Sequence, residues 1–284
     1  MDFSGYERSN RYYGGSERKL GILIGESEYM LKFQKHTAFG IRYNHISEFL
    51  GSRIFALLGF HVQEVYLGTY NGEPVVACKN FIETNEQFVP FNDVGESTLD
   101  QDKEVFQYTY EDIMQMLQDN TKLTDVQETV SLFWDMFIVD ALLGNFDRHG
   151  SNWGFIKKDN KYRIAPVFDN GSCLFPTMAD EDMMQKIINS PEETEKRVYE
   201  FPTSQIKLHG KKSSYYEVIH SLAFPECNAA LIRIAERINM EKIMELVEQI
   251  DVISRNHRDF YKHMIRERYD KIIKVSYEKL RNKV

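Results

Sequence analysis

The sequence predicts an α+β protein, β-rich over residues 1–83 and mostly helical over residues 84–284. Three observations carry that expectation. Strand-like runs joined by Gly25-Glu26-Ser27 and by Asn71-Gly72 fill the first third of the chain. A strongly apolar stretch then runs from Val130 to Leu143 and stops at Gly144. From Ala229 onward, apolar residues recur at helical spacing.

In chain order, Tyr12-Tyr13-Gly14-Gly15-Ser16-Glu17-Arg18-Lys19 is a short glycine-bearing loop. Its glycines let backbone amides approach a phosphate, and Arg18 or Lys19 adds positive charge. Gly-Gly-Ser is equally an ordinary turn. Leu20–Ile24 and Tyr29–Phe33 read as strands, the second bearing Lys32. A helix follows from about Asn44 to Leu58, with Glu48 in its first turn. Glu48 can orient Lys32 as an ionic partner, or simply answer the helix dipole while Lys32 stays solvated. The Asn71-Gly72 hairpin leads into Lys79-Asn80-Phe81-Ile82-Glu83, positioned as the hinge between lobes. Residues 86–107 are acidic and read as an irregular surface loop.

Thr124-Asp125-Val126-Gln127 has the form of a capping box opening the helix that Gly144 ends. The run Asn145-Phe146-Asp147-Arg148-His149-Gly150-Ser151-Asn152 is therefore a polar loop on a rigid support. Trp153–Ile156 and Tyr162–Ala165 flank Asp159-Asn160 as a second hairpin, which delivers Phe168-Asp169-Asn170-Gly171. Residues 178–214 are polar and suit an activation-loop equivalent and a substrate platform; stretches 229–250 and 252–280 read as long core helices.

An Asp with an Asn five residues on, followed after a hairpin by Asp-x-Gly, is how a kinase-like phosphotransferase arranges its base and metal ligands. Asp147 is the candidate base, and Asn152 and Asp169 the candidate Mg²⁺ ligands. Taken singly, each of these residues also suits a turn. Asp147, His149 and Asp169 are also possible ligands of a hydrolytic metal site, but no His-x-x-x-His or Cys-rich spacing accompanies them. The order of elements, with Lys32 and Glu48 upstream, favours the phosphotransferase.

Together, Gly-Gly-Ser-Glu-Arg-Lys, Tyr-Met-Leu-Lys-Phe, Asn-Phe-Asp-Arg-His-Gly-Ser-Asn-Trp-Gly and Phe-Asp-Asn-Gly-Ser resemble the HipA-like serine/threonine kinases, in particular the shorter CtkA-like branch. The resemblance covers most of the chain. It implies a two-lobed kinase fold, ATP with Mg²⁺, and transfer to a protein serine or threonine. Asp147 would be the base, Asn152 and Asp169 would hold metal, and Lys32 would contact phosphates under the loop Gly14–Lys19. Arg148 and His149 would support the loop, and Phe81 would lie at the nucleotide hinge. HipA-type toxins carry a phosphorylatable serine ahead of the glycine loop; here Tyr12 and Tyr13 stand there, with Ser9 and Ser16 nearby. The extra N-terminal subdomain of longer HipA proteins is not expected, so a HipB-like antitoxin partner is not assumed. Two other classes compete. Aminoglycoside- and choline-kinase-like enzymes use a similar Asp/Asn/Asp set but place His-Gly-Asp where this chain has Asp-Arg-His. A non-catalytic nucleotide-binding regulator would have lost one of these residues, and none is lost.

Composition agrees with an enzyme of this size. Net charge is −8, which disfavours a phosphate-driven nucleic-acid binder. Cys78, Cys173 and Cys227 have no paired spacing, so neither a disulfide scaffold nor a zinc knuckle is expected. No signal-peptide pattern opens the chain, and no apolar run nears the roughly 18 residues that span a bilayer. The cytoplasm is the default expectation, with leaderless export compatible with the resemblance.

Overall fold

The structure, a computed structural model, describes residues 1–11, 13–14, 18–38, 40–93, 109–118 and 125–283. Strands β1 (Lys19–Ile24), β2 (Ser27–Phe33), β5 (Val65–Tyr70) and β6 (Glu73–Lys79) form an antiparallel sheet in the order β1-β2-β6-β5. Asn71 and Gly72 both take positive φ (50° and 79°), the two-residue turn whose twist matches the flanking strands. One face of the sheet buries Ile22, Leu31, Val75 and Ala77 against Phe3. A small hairpin of β3 (Lys35–Thr37) and β4 (Gly40–Arg42) leads into α1 (Asn44–Leu57).

No side-chain cap opens α1. Instead Asn44 clamps the end of β2: its Nδ2 donates to the Phe33 carbonyl at 3.2 Å and its Oδ1 accepts from the Lys35 amide at 3.0 Å. Ile46, Leu50, Ile54 and Phe55 of α1 belong to the same apolar core as α2 (Tyr110–Gln118) and α3 (Val126–Leu143). That shared core fixes α1 relative to the larger lobe, and with it any residue α1 presents to the interlobe cleft.

The predicted α3 is present and ends on Gly144 at φ 63°, the left-handed stop that glycine favours. Its start differs from the predicted capping box. Asp125 is the N-cap and accepts from the Glu128 amide at 2.8 Å; Thr124 lies outside the described residues. The second hairpin, β8 (Gly154–Lys158) with β9 (Lys161–Ile164), turns through Asp159 and Asn160, both at positive φ. It gains a third strand from the segment predicted to be irregular: β7 (Gln87–Pro90) pairs with β8, Phe88 opposite Ile156. The acidic part of that segment, 94–108, lies outside the described residues.

One further reading is corrected and another gains detail. The polar segment 178–214, read as suiting an activation-loop equivalent and a substrate platform, carries regular elements. It holds α4 (Glu181–Asn189), the short α5 (Pro191–Glu195) and a hairpin of β10 (Thr203–Leu208) with β11 (Lys211–Ser214). The stretch 229–250 is two helices, α7 (Pro225–Arg237) and α8 (Met240–Glu248), after α6 (Tyr215–Ser221). Asn239 breaks it by capping the Lys242 amide at 3.1 Å. Beyond α8, α9 (Arg255–Arg268) and α10 (Val275–Arg281) are joined by a wider helical turn over 269–274. Among the described residues no helix is long and apolar enough to cross a membrane. Cys78, Cys173 and Cys227 are free and buried.

An aromatic knot joins the two lobes behind the sheet. Tyr43 stacks on His45 at 6.3 Å and meets His257 edge-on at 4.3 Å. Burial pushes both imidazoles down from 6.5 to about 4. A base whose folded pKa is depressed binds its proton more readily in the unfolded chain, so acid favours unfolding. Stability contributed here is fully present above about pH 6.5 and is lost as pH falls toward about 4. We expect the urea midpoint to drop over that window, and His257→Gln to flatten the drop. An unchanged slope in the variant would remove this histidine from the acid response.

Candidate active site

The interlobe cleft, about 580 Å³, is lined by residues from both lobes, among them Lys19, Lys32, Glu48, Asp147, Asn152 and Asp169. Lys32 is its electrostatic centre. Its Nζ donates to Glu48 Oε2 at 2.7 Å and to Asp169 Oδ1 at 2.8 Å. Burial would push this ammonium down, but the carboxylates of Asp169 and Glu48 hold it well above the usual lysine range. Lys32 in turn holds the Asp169 carboxyl below its ordinary value. The Asp169 side chain remains 38% exposed, so a ligand in the cleft can reach it.

Glu48 is not in the first turn of α1. With Asn44 as the first helical residue it falls in the second, where the helix dipole offers little. It is fully buried and makes a second bond, Oε1 accepting from the Asn170 amide at 2.9 Å. One glutamate thus binds the strand lysine and the Asp-x-Gly segment together. Asp169 itself sits at φ 57°, a strained region for a non-glycine residue and one that concentrates at functional sites.

The loop carrying Asp147 is held mainly through its backbone. The Asp147 amide donates to Asn145 Oδ1 at 3.0 Å, and Asn152 Nδ2 donates to the Asp147 carbonyl at 2.7 Å. This second bond commits the Asn152 NH₂ and leaves its amide oxygen as the atom suited to a cation. The Asp147 side chain is 47% exposed, with His149 Nε2 3.8 Å away. Burial raises the Asp147 carboxyl above its ordinary value, partly offset by His149.

Arg148 sits behind the site rather than in it. Its guanidinium donates to both Asp140 oxygens at 2.9 and 3.1 Å, to Asn170 Oδ1 at 2.6 Å, and to the Phe168 carbonyl. Arg148 thereby joins helix, loop and Asp-x-Gly segment. Sequence reasoning misses Asp140 and Asn170 as its partners; a lone carboxylate among Ile138, Val139, Ala141 and Leu142 is the available signal. At the cleft's apolar end, Phe81 packs at 5.4 Å from Phe168, and Phe88 packs at 5.2 Å from the same ring.

The glycine loop is only partly placed. Lys19 lines the cleft and donates to the Gly14 carbonyl at 2.9 Å. Gly15 and Ser16 lie outside the described residues. Arg18 is a correction: it turns away, pairing with Glu73 at 2.7 Å and covering the Phe33 ring at 3.9 Å. Ser9 Oγ donates to Glu28 Oε1 at 2.6 Å.

Gly51 lets α1 approach this network, since a Cβ there would meet the Asn170 Cβ at 2.6 Å. Alanine gains about 1 kcal/mol of helix propensity, but overpacking costs about 1–3 kcal/mol. The clash should win, because Asn170 is pinned by Arg148, Glu48 and Ser52. We expect Gly51→Ala to lower the denaturation midpoint; a raised midpoint would show that Asn170 can yield.

A small sheet and a larger helical lobe around a cleft, with a strand lysine, a helix glutamate and two loop aspartates, define a protein-kinase-like enzyme. Residues 12–252 match the HipA-like C-terminal domain. The chain is 35% identical over 271 residues to the serine/threonine-protein kinase CtkA of Helicobacter pylori, spanning 93% of this chain and 83% of that protein. It aligns with the crystal structure of that proinflammatory kinase at a TM-score of 0.91 and 34% identity, over 99% of this chain and 98% of the other. HipA of Shewanella oneidensis MR-1, solved with HipB and operator DNA, shares the fold at a TM-score of 0.64 and 15% identity, over 99% of this chain and 68% of that one. The chain belongs to the HipA-like C-terminal domain family and is an enzyme of the kinase class.

Proposed function

We propose that the protein is an ATP- and Mg²⁺-dependent serine/threonine kinase that transfers the γ-phosphate to a protein hydroxyl and can phosphorylate itself. The observation that carries this reading is Lys32, held between Glu48 and Asp169 in a cleft that Asp147 and Asn152 also line. The donor set fits the group: a carboxylate at Asp169 and an amide oxygen at Asn152 suit a hard cation, and Lys32 and Lys19 suit phosphate oxygens. When bound, ATP with Mg²⁺ supplies the transferable phosphoryl group and the charge that offsets its oxygens. Asp147 accepts the proton of the attacking hydroxyl, and the raised basicity of its carboxylate assists that step. Arg148 and His149 position it. Phe81, Phe88 and Phe168 offer an aromatic surface for the base of the nucleotide. The lobes assigned are residues 1–83 and 84–284.

A small-molecule phosphotransferase acting on an aminated substrate calls for added negative charge around the base. The charges acting on Asp147 are mixed, with Asp169 opposed by His149, Lys212 and Arg148, which is not the uniformly acidic surround such a substrate calls for. Intact-mass analysis after incubation with ATP and Mg²⁺ tests the proposal. A gain of phosphate supports it, whereas nucleotide binding with no transfer to self or to any added protein would replace it with a regulator.

A further inference from the structure

The β10–β11 hairpin, beside the catalytic loop, carries Lys207, His209, Lys211 and Lys212. Its turn is His209-Gly210, both at positive φ (52° and 77°), which sets Leu208 opposite Lys211 next to the turn, before the register shifts between Lys207 and Thr203. Ser204 and Ile206 of β10 are buried while Gln205 and Lys207 are only partly so, which puts these two on the open side of the strand across the register shift. Lys212 stands directly across from Lys207. That face abuts the catalytic loop: Gln205 Nε2 donates to the Phe146 carbonyl at 2.9 Å, one residue before Asp147. Just ahead of β10, the Phe201 ring packs 5.8 Å from that of Phe146. The Lys212 charge acts on the Asp147 carboxyl, opposing the rise that burial causes.

Two lysines directly opposite each other destabilise a strand pair. Among the described residues, Lys207, Lys211 and Lys212 have no ion-pair partner, in a chain whose net charge is −8. An arrangement that costs stability beside a catalytic base calls for an anionic occupant. We propose that this hairpin face docks acidic residues flanking the hydroxyl to be phosphorylated, so that the enzyme selects serine or threonine set among aspartate and glutamate. The proposal rests on the kinase reading above. A peptide fits better than a nucleic acid, because the basic patch is one hairpin wide and the rest of the chain repels a polyanion.

The test uses the full chain and a single-serine peptide with aspartate placed in turn at each flanking position, beside neutral and lysine-bearing counterparts. The readout is the ratio of kcat/KM for acidic over neutral peptide, which cancels any general effect on turnover. We expect wild type to favour an acidic peptide by about 5- to 30-fold. Lys207→Glu combined with Lys212→Glu should reverse the preference toward the lysine-bearing peptide. Equal transfer to all peptides would overturn the docking proposal and leave the kinase reading standing. Transfer to none, with no self-phosphorylation, would overturn both. A DNA duplex retained by wild type and lost in the variant, with no peptide preference, would overturn it in favour of a nucleic-acid surface.

Discussion

Asp147→Ala is expected to slow phosphate transfer by about 10²–10⁴, the usual contribution of a positioned general base, while nucleotide stays bound. The structure separates these two effects. The loop bonds engage the amide and carbonyl of Asp147, while its carboxylate faces His149 at 3.8 Å, so truncation should leave Asn145 and Asn152 in place. Lys32 contacts Glu48 and Asp169, and so the charges suited to phosphate survive the change. Asp169→Ala should behave differently. It removes a carboxylate suited to the cation and leaves Lys32 with Glu48 alone, so Mg²⁺-dependent nucleotide binding should weaken as turnover is lost. Single-turnover transfer and calorimetric nucleotide titration distinguish the two variants. Near-normal transfer by Asp147→Ala would remove it as the base, and unaltered nucleotide affinity in Asp169→Ala would remove the metal-ligand role.

What could be read from the sequence was whatever is written locally. Asn71-Gly72 and Asp159-Asn160 set their turns through backbone conformations that few residue pairs adopt, and both hairpins are present. Gly144 stops α3 for the same reason. The Asp147 loop and the Asp-x-Gly segment were legible because each is a contiguous string. Pairings between distant segments were not legible. β7 is four residues ending in proline, and it exists because β8 offers an unpaired edge. Arg18 and Lys19 look interchangeable as cations, yet side chains alternate along an extended chain. Lys19 therefore enters the cleft while Arg18 reaches Glu73. The break at Asn239 was hidden because apolar spacing continues through it, and only the capping bond reveals two helices. The hairpin at 203–214 has short, mostly polar strands in which only Ile206 and Leu208 alternate with polar residues, too brief a pattern to mark a strand.

Arg148→Ala is expected to be the most destabilising single change near the site. Arg148 is 8% exposed and Asp140 1%, so removing the guanidinium strands a carboxylate in the interior. Breaking a buried pair from one side costs about 3–5 kcal/mol, a large fraction of a typical total of about 5–15 kcal/mol. The cost should fall on geometry as well, because the same side chain bonds Asn170 and the Phe168 carbonyl on either side of Asp169. Urea denaturation measures the first effect directly. Arg148→Met with Asp140→Leu removes both charges and should recover part of the loss, since a buried pair contributes little net stability over apolar residues of similar volume. Recovery should stop short of wild type, because Asn145 Nδ2 also donates to Asp140 at 2.9 Å and would lose its acceptor. A stability change under about 1 kcal/mol for Arg148→Ala would mean that water reaches Asp140 and that the loop is held by its backbone bonds alone. A large loss with partial recovery would make the buried pair the element that ties Asp147 to Asp169, so that the two carboxylates keep their spacing through one arginine.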